Sequence, residues 1–218
     1  MEEFERARPG RGLVRGLIDR GIRDRRVLAA FDRVPRALFV PEELRGEAEA
    51  DHPLAIGCGQ TISQPYVVAL MLAALELHGD ERVLEIGTGS GYLTALLCEM
   101  LSATAQLRTI EVLPELSHRA ERTLLGLGYQ NVEHRLGDGA LGWPEAAPYQ
   151  AIIASAAPAK VPPALLEQLA PGGRLLLPVG ASADRQVLEL WRRVPATGAL
   201  ERRVLLQVRF VPLIEVLH

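Results

Sequence analysis

Residues 82–91 read RVLEIGTGSG, and how they are read decides the fold. Arg82–Ile86 is a short apolar strand. Residues 87–91 are a turn whose glycines let the backbone bend sharply and approach a ligand with no Cβ in the way. Residues 92–101 are apolar enough for a buried helix. The same order then repeats. Residues 105–111 alternate like a strand, 116–127 are helical and stop at Gly128, and 131–135 are a strand followed by the GDG turn at 137–139. Residues 149–155 form a strand, 162–169 a helix with prolines at its start, 171–173 a turn and 174–179 a strand. Gln186–Arg193 and residues 203–210 are two further strands without a helix pattern between them, joined through PATGALE at 195–201. Strand alternating with helix implies right-handed crossovers and a parallel sheet covered on both faces. The expected fold is therefore α/β: a doubly wound, Rossmann-like, mostly parallel sheet of seven strands with an antiparallel edge strand from the last hairpin.

Upstream, Leu13, Val14, Leu17 and Ile18 share one helical face. After Gly21 a second helix carries Val27, Leu28, Phe31 and Val34 and ends near Pro35. One domain over 1–218 is expected, with a loose terminus at 1–12, a helical lead-in and polar loop at 13–78, and the sheet at 79–218. Among the 218 residues, 24 are basic and 27 acidic, for a formal charge of −3, which argues against a dedicated nucleic-acid binder. The charged start MEEFERARPGRG lacks the apolar region of a secretory signal, and no apolar run approaches the roughly 20 residues needed to span a bilayer. Cys58 and Cys98 make neither a metal-ligand pair nor a disulfide framework. A cytoplasmic location follows, with no membrane partner. No two of the five histidines have metal-ligand spacing, so no metal is expected.

In a doubly wound sheet the ligand sits beyond the carboxyl ends of the strands, where strand order reverses. The turn Gly87-Thr88-Gly89-Ser90-Gly91 belongs there, yet it lacks the third glycine of a dinucleotide fingerprint and the Gly-Lys-Ser/Thr of a triphosphate loop. Glu111 follows Gly91 by 20 residues and ends the next strand, where an acid accepts hydrogen bonds from a ribose diol. Its plainer reading is a solvated strand-end acid. A second polar stretch, GCGQTISQPY at 57–66, runs straight into the apolar segment VVALMLAALEL. Pro65 suits the first position of a helix, which makes Gln64 the N-cap and leaves the Ser63 hydroxyl spare. If the helix starts one residue earlier, Ser63 is merely the cap.

The glycine turn with its downstream acid resembles the class I S-adenosylmethionine-dependent methyltransferases, whose cofactor has a methionine chain where a dinucleotide has a pyrophosphate. The chain as a whole resembles the protein-L-isoaspartate (D-aspartate) O-methyltransferases. The match is carried by VPRALFVP (34–41), GQTISQPYVVA (59–69), VLEIGTGSGY (83–92), GDGALGW (137–143), APYQAIIASAAP (147–158), GGRLLLPVG (172–180) and RFVPL (209–213). The glycine motif belongs to the whole superfamily; the TISQP loop, the AAP segment and the VPL segment are far more specific.

That resemblance implies methyl transfer from S-adenosyl-L-methionine, leaving S-adenosyl-L-homocysteine, to the free α-carboxyl of L-isoaspartyl and D-aspartyl residues in damaged proteins and peptides. It implies Ser63 as the catalytic residue. Cofactor contacts fall to Thr61, Ile62, Glu85, Gly87, Thr88, Gly89, Ser90, Gly91, Glu111, Val112, Asp138 and Gly139. Glu85 is expected below the methionine end, and Asp138 with Gly139 at the adenine, although Asp between glycines is also ordinary turn chemistry. Substrate contacts fall to Ser63, Ala156, Pro158, Val211, Pro212 and Leu213. Ser155 stands where the family usually has Thr. Ala55, Cys58 and Leu93 also depart from common family residues, and Cys58 is expected to be a buried small hydrophobe. The chain is expected to be a monomer. Two other readings are a methyltransferase for the aspartate of a dedicated peptide precursor and a cofactor-binding protein without catalysis.

Overall fold

The computed structural model describes residues 11–215. Two N-terminal helices, α1 (Arg11–Asp19) and α2 (Arg25–Arg33), lead into two short 3-10 turns and a hairpin of β1 (Leu54–Gly57) and β2 (Gln60–Ile62). Helix α3 (Pro65–Leu75) follows, then β3 (Arg82–Ile86), α4 (Tyr92–Met100), β4 (Gln106–Glu111), α5 (Pro114–Gly126) and β5 (Val132–Leu136). The chain continues through β6 (Tyr149–Ala154), α6 (Pro163–Glu167), β7 (Leu169–Val179), β8 (Gln186–Arg193) and β9 (Leu200–Val208). The loose terminus expected at 1–12 falls mostly outside the described residues, and Arg11 and Gly12 already belong to α1.

The seven-stranded sheet has the order β5-β4-β3-β6-β7-β8-β9. Strands β3 to β7 pair in parallel, whereas β7–β8 and β8–β9 pair antiparallel. The reversed strand is thus β8, one place in from the edge, and β9 turns back to point with the rest. Strand residues alternate between two cores. Val83, Ala151, Ile153 and Leu176 face one core with α2, α3 and α4. Leu84, Ile86, Ile152, Ala154, Leu175 and Leu177 face the other with Leu165 of α6. Leu13, Leu17, Val27, Phe31 and Val34 are buried as the periodicity requires, but Ile18 is 40 % exposed because it lies at the margin of the α1 stripe.

Two segments depart from the pattern-based reading. The expected helix at 162–169 is only the five residues Pro163–Glu167, and the expected turn at 171–173 is absorbed into β7. The pairing jumps from Tyr149↔Leu169 to Ala151↔Arg174, so Pro171, Gly172 and Gly173 form a bulge rather than a strand end. The polar stretch before α3 is not only a loop: it makes the β1–β2 hairpin, whose two-residue tip has Cys58 at φ 53° and Gly59 at φ 70°. Positive φ at both central residues is the hairpin geometry that matches strand twist.

The bulge gives a stability test. A Cβ on Gly173 would lie 2.7 Å from the Tyr149 carbonyl oxygen and 2.8 Å from that of Ala170, both rigid backbone atoms. Gly173→Ala should lower stability by about 1–3 kcal/mol in denaturant unfolding, whereas Gly16→Ala, with nothing within 4 Å, should not.

Candidate active site

Strand order reverses between β3 and β6: β4 and β5 lie on one side, β7 to β9 on the other. The connections leaving β3 and β6 diverge, and a crevice opens above their carboxyl ends. In the turn after β3, Gly87, Gly89 and Gly91 all take positive φ. The turn is pinned by Gly87 N–H donating to Ile110 O at 2.8 Å and by the Thr88 and Thr109 hydroxyls 2.6 Å apart. Glu111 locks it from β4. Its Oε2 accepts from Gly89 N–H at 2.8 Å, and its Oε1 accepts from the N–H groups of Val112 (2.9 Å) and Leu113 (3.0 Å). Glu111 is therefore no solvated strand end: it is 6 % exposed and ties two strand ends together.

Three adjoining cavities meet at Thr61 and Ser155, which line all of them. An inner groove runs over Gly87 and Gly89 past Glu111, Val112 and Gly139. A narrow cavity lies between Ile62 and Ser63 on one side and Thr88, Ser90 and Tyr92 on the other. An outer cleft is bounded by Ser63, Gln64 and Tyr66 and by the chain from Leu206 to Val211. The inner groove is roofed by Ile56 of the hairpin, whose carbonyl accepts from Arg119 of α5. Its other wall is the C-terminal segment, fastened to the AAP stretch by Ala157 N–H to Val211 O at 2.8 Å and Leu213 N–H to Ala157 O at 2.9 Å.

Most expected site residues converge here, with differences in detail. Val211 borders both groove and cleft, but Ala156, Pro212 and Leu213 line the inner groove, not the cleft beside Ser63. Pro158 lines none of the three cavities; its carbonyl accepts from Gly180 N–H at 2.9 Å. Gly91 caps α4, and Gly139 faces the groove while the Asp138 carboxylate accepts from Ala140 N–H at 2.8 Å. A Cβ on Gly139 would come within 2.4 Å of Ile86 Cγ2, so only glycine lets the 137–139 turn close over β3. Glu85 lies under α4, fully buried, with Oε2 accepting from Thr94 Oγ1 at 2.6 Å and Oε1 unpartnered. Burial pushes its carboxyl up to about 8, so it is uncharged at neutral pH. Cys58 is exposed at the hairpin tip, contrary to expectation, because a two-residue turn projects its side chains outward.

Ser63 is not a helix cap. Gln64 is the N-cap of α3, Pro65 is the first helical residue, and among the described residues the Ser63 hydroxyl has no intramolecular hydrogen bond. The sequence offered no sign of what holds this loop. Asp51 accepts from Tyr66 N–H at 2.9 Å, capping α3 from 15 residues away, and the buried Arg36 donates to the Ser63 carbonyl at 3.2 Å.

The described residues lining the inner groove include no lysine or arginine, so a ligand there meets backbone amides and neutral polar groups in place of a cationic side chain. What it offers is glycine backbone, the buried acid Glu111, and apolar walls from Ile56, Leu116 and Leu213. Adjoining it, the narrow cavity has Tyr92 Oη in its surroundings, buried and without an intramolecular partner. Apolar walls, an acid and neutral polar groups suit a nucleoside bearing a short polar chain, which is the make-up of S-adenosylmethionine. Fold and groove together define a class I S-adenosylmethionine-dependent methyltransferase.

Comparison with known proteins narrows the class. The family model described as protein-L-isoaspartate(D-aspartate) O-methyltransferase (PCMT) matches residues 9–218. A protein-L-isoaspartate O-methyltransferase of Anaeromyxobacter dehalogenans (strain 2CP-1) is 57 % identical over 194 residues, covering 88 % of this chain and 91 % of that one. Protein-L-isoaspartate O-methyltransferase 1 of Syntrophobacter fumaroxidans is 50 % identical over 214 residues, covering 98 % and 97 %. A solved protein-L-isoaspartate O-methyltransferase superposes with a TM-score of 0.82 at 29 % identity, covering 92 % of this chain; the chain spans 64 % of that structure's length. A Plasmodium falciparum structure, solved with S-adenosyl-L-homocysteine, has the same fold at a TM-score of 0.82 and 24 % identity. The chain belongs to the protein-L-isoaspartate (D-aspartate) O-methyltransferase family.

Glu85 makes stability depend on pH. Its carboxyl rises from an ordinary 4.5 to about 8 in the folded chain, through burial and, to a smaller degree, the negative charge of Glu111. The neighbouring Cys98 thiol, pushed up to about 12, stays neutral throughout. The folded state therefore holds a proton that the unfolded chain has lost between these values, so this contribution is full below pH 4.5 and disappears as pH rises through about 8. Glu85→Gln should melt close to wild type near pH 5 and gain on it steadily toward pH 8.5; a melting-temperature difference independent of pH would contradict this.

Proposed function

We propose that the three cavities carry out a methyl transfer in which Ser63 orients the accepting carboxylate. The chain transfers a methyl group from S-adenosyl-L-methionine to the free α-carboxyl of L-isoaspartyl residues in proteins and peptides, and D-aspartyl residues are accepted as well. The observation that carries the residue assignment is the unpartnered Ser63 hydroxyl, on the wall shared by the narrow cavity and the outer cleft.

When bound, the cofactor supplies a methyl group activated by a positively charged sulfur. The protein's own task is then small. An α-carboxyl has an ordinary pKa of about 3.3–3.7, so it arrives ionised and needs no general base. Orientation and a setting without negative charge are what remain. Thr61, Ser63 and Ser155 offer hydroxyl donors where the cavities meet. Neutral donors hold the carboxylate without the tight ground-state pairing a lysine would give. Glu85, held protonated, adds no repelling charge beneath the turn. Glu111 would take the ribose, with Gly87, Thr88, Gly89, Ser90, Val112 and Gly139 as the surrounding wall; Ile62 would face the methionine end and Glu85, Gly91 and Asp138 would shape the turns beneath. Val211 is the substrate contact its position supports best, since it borders the cleft.

The reading takes the chain to be one domain acting as a monomer. Among the described residues no helix is long and apolar enough to cross a membrane. The unpaired thiols of Cys58 and Cys98 favour a reducing, cytoplasmic setting.

Paired synthetic peptides test the activity: methyl transfer to an isoaspartyl peptide and none to its normal aspartyl isomer. Equal rates on both, or no rate on either, would end this reading, and cofactor binding with no turnover on any isoaspartyl peptide would favour the non-catalytic one. For Ser63→Ala, kcat on the isoaspartyl peptide should fall by about a hundredfold, with S-adenosyl-L-homocysteine affinity and melting temperature unchanged. A melting-temperature loss with full turnover per folded molecule would instead make the hydroxyl structural.

A further inference from the structure

The reaction needs no cation beside Ser63, yet a guanidinium is buried there. Arg36 follows Pro35 in a 3-10 turn and is 3 % exposed. Its Nη1 donates to the carbonyls of Ala48 (3.0 Å) and Ala50 (3.3 Å). Its Nη2 donates to those of His52 (2.9 Å) and Ser63 (3.2 Å). One planar fork thus joins three stretches of backbone that have no regular pairing with one another. Asp51 lies within the second stretch. Its Oδ1 accepts from Tyr66 N–H at 2.9 Å, and its Oδ2 accepts from Gln64 Nε2 at 3.0 Å and pairs with Arg20. Gln64 Nε2 also donates to the Asp51 carbonyl at 3.0 Å.

Ser63 is therefore fixed from both sides. Its carbonyl is held by Arg36, and the two residues that set the start of α3 are held by Asp51. Pro65 has no N–H, so Tyr66 carries an early orphan amide of that helix, and a carboxylate there also suits the helix dipole. Between the two clamps, the Ser63 hydroxyl has no intramolecular hydrogen bond among the described residues. Burying a charge is costly, and an apolar side chain of similar volume would pack this site more cheaply. What an apolar side chain cannot do is fix the relative positions of four carbonyls, for which the rigid guanidinium fork is suited.

We propose that Arg36 and Asp51 are positioning residues for the methyl transfer: together they set the backbone of Ser63 so that its hydroxyl meets the substrate carboxylate. This rests on the assignment of Ser63 made above. Neither residue touches substrate; both act through the loop.

A double-mutant cycle tests the proposal on the full chain, with Arg36→Met, Ser63→Ala and the pair. The readouts are kcat on an isoaspartyl peptide per folded molecule, S-adenosyl-L-homocysteine affinity by calorimetry, and melting temperature. Arg36→Met alone should lower kcat by about tenfold to a hundredfold, with cofactor-product affinity changed less than about twofold. In the Ser63→Ala background the same substitution should cost less than about twofold further, because no hydroxyl is left to position. An equal fold-loss in both backgrounds overturns the proposal, as does full kcat per folded molecule with only a lower melting temperature. If Arg36→Met does not fold, Asp51→Asn, which keeps the size and loses the charge, is run through the same cycle against the same outcomes. Wild-type turnover in Ser63→Ala alone would sink the Ser63 assignment itself and the positioning proposal with it.

Discussion

Two neighbouring strand ends govern the catalytic side of this molecule. β3 and β6 lie side by side, and the chain leaves them toward opposite halves of the sheet. No helix can cover the gap between their exits, so a crevice is forced by topology. The remaining elements either floor that crevice or roof it. Glu111 sets the floor by gathering three backbone amides from the glycine turn and the β4 end. A fully exposed acid could not hold this geometry, because water would compete for the same lone pairs.

The roof comes from parts of the chain that are distant in sequence. The β1–β2 hairpin closes from one side and the Val211–Leu213 segment from the other. The hairpin is anchored by the buried Leu54, Ile56 and Ile62 and by Arg119 to the Ile56 carbonyl; the C-terminal segment is anchored by the two backbone bonds to Ala157 and, through Phe210, by the Gln186 side chain.

Charge is distributed to match the chemistry. The junction of the three cavities carries hydroxyls, not ions, and Glu85, buried beneath α4, is held protonated by its burial. The arginines of the outer cleft are already matched, Arg20 by Asp51 and Arg209 by Asp184. An anionic carboxylate thus meets a site of oriented dipoles, in which it is neither repelled nor trapped.

The sequence by itself determined the sheet, the glycine turn, Glu111 and the start of α3, because each has a local cause. Strand and helix periods are set by neighbouring residues, glycines mark positive φ, and Pro65 fixes where a helix can begin. The sequence left Ser63 either spare or the cap of α3, and the structure makes Gln64 the cap. Where local chemistry and long-range pairing disagreed, the pattern misled: Pro171-Gly172-Gly173 has the composition of a turn, but pairing with β6 draws it into a bulge. Cys58 looked like a core residue until the hairpin turned it outward. Long-range packing alone puts Pro212 and Leu213 on the wall of the inner groove and Glu85 beneath α4. It alone brought Arg36 and Asp51 to Ser63, since a buried arginine among carbonyls 12 to 27 residues away has no local signature. Its partners are backbone oxygens, which every residue has, and only the folded path of the chain selects which of them it meets.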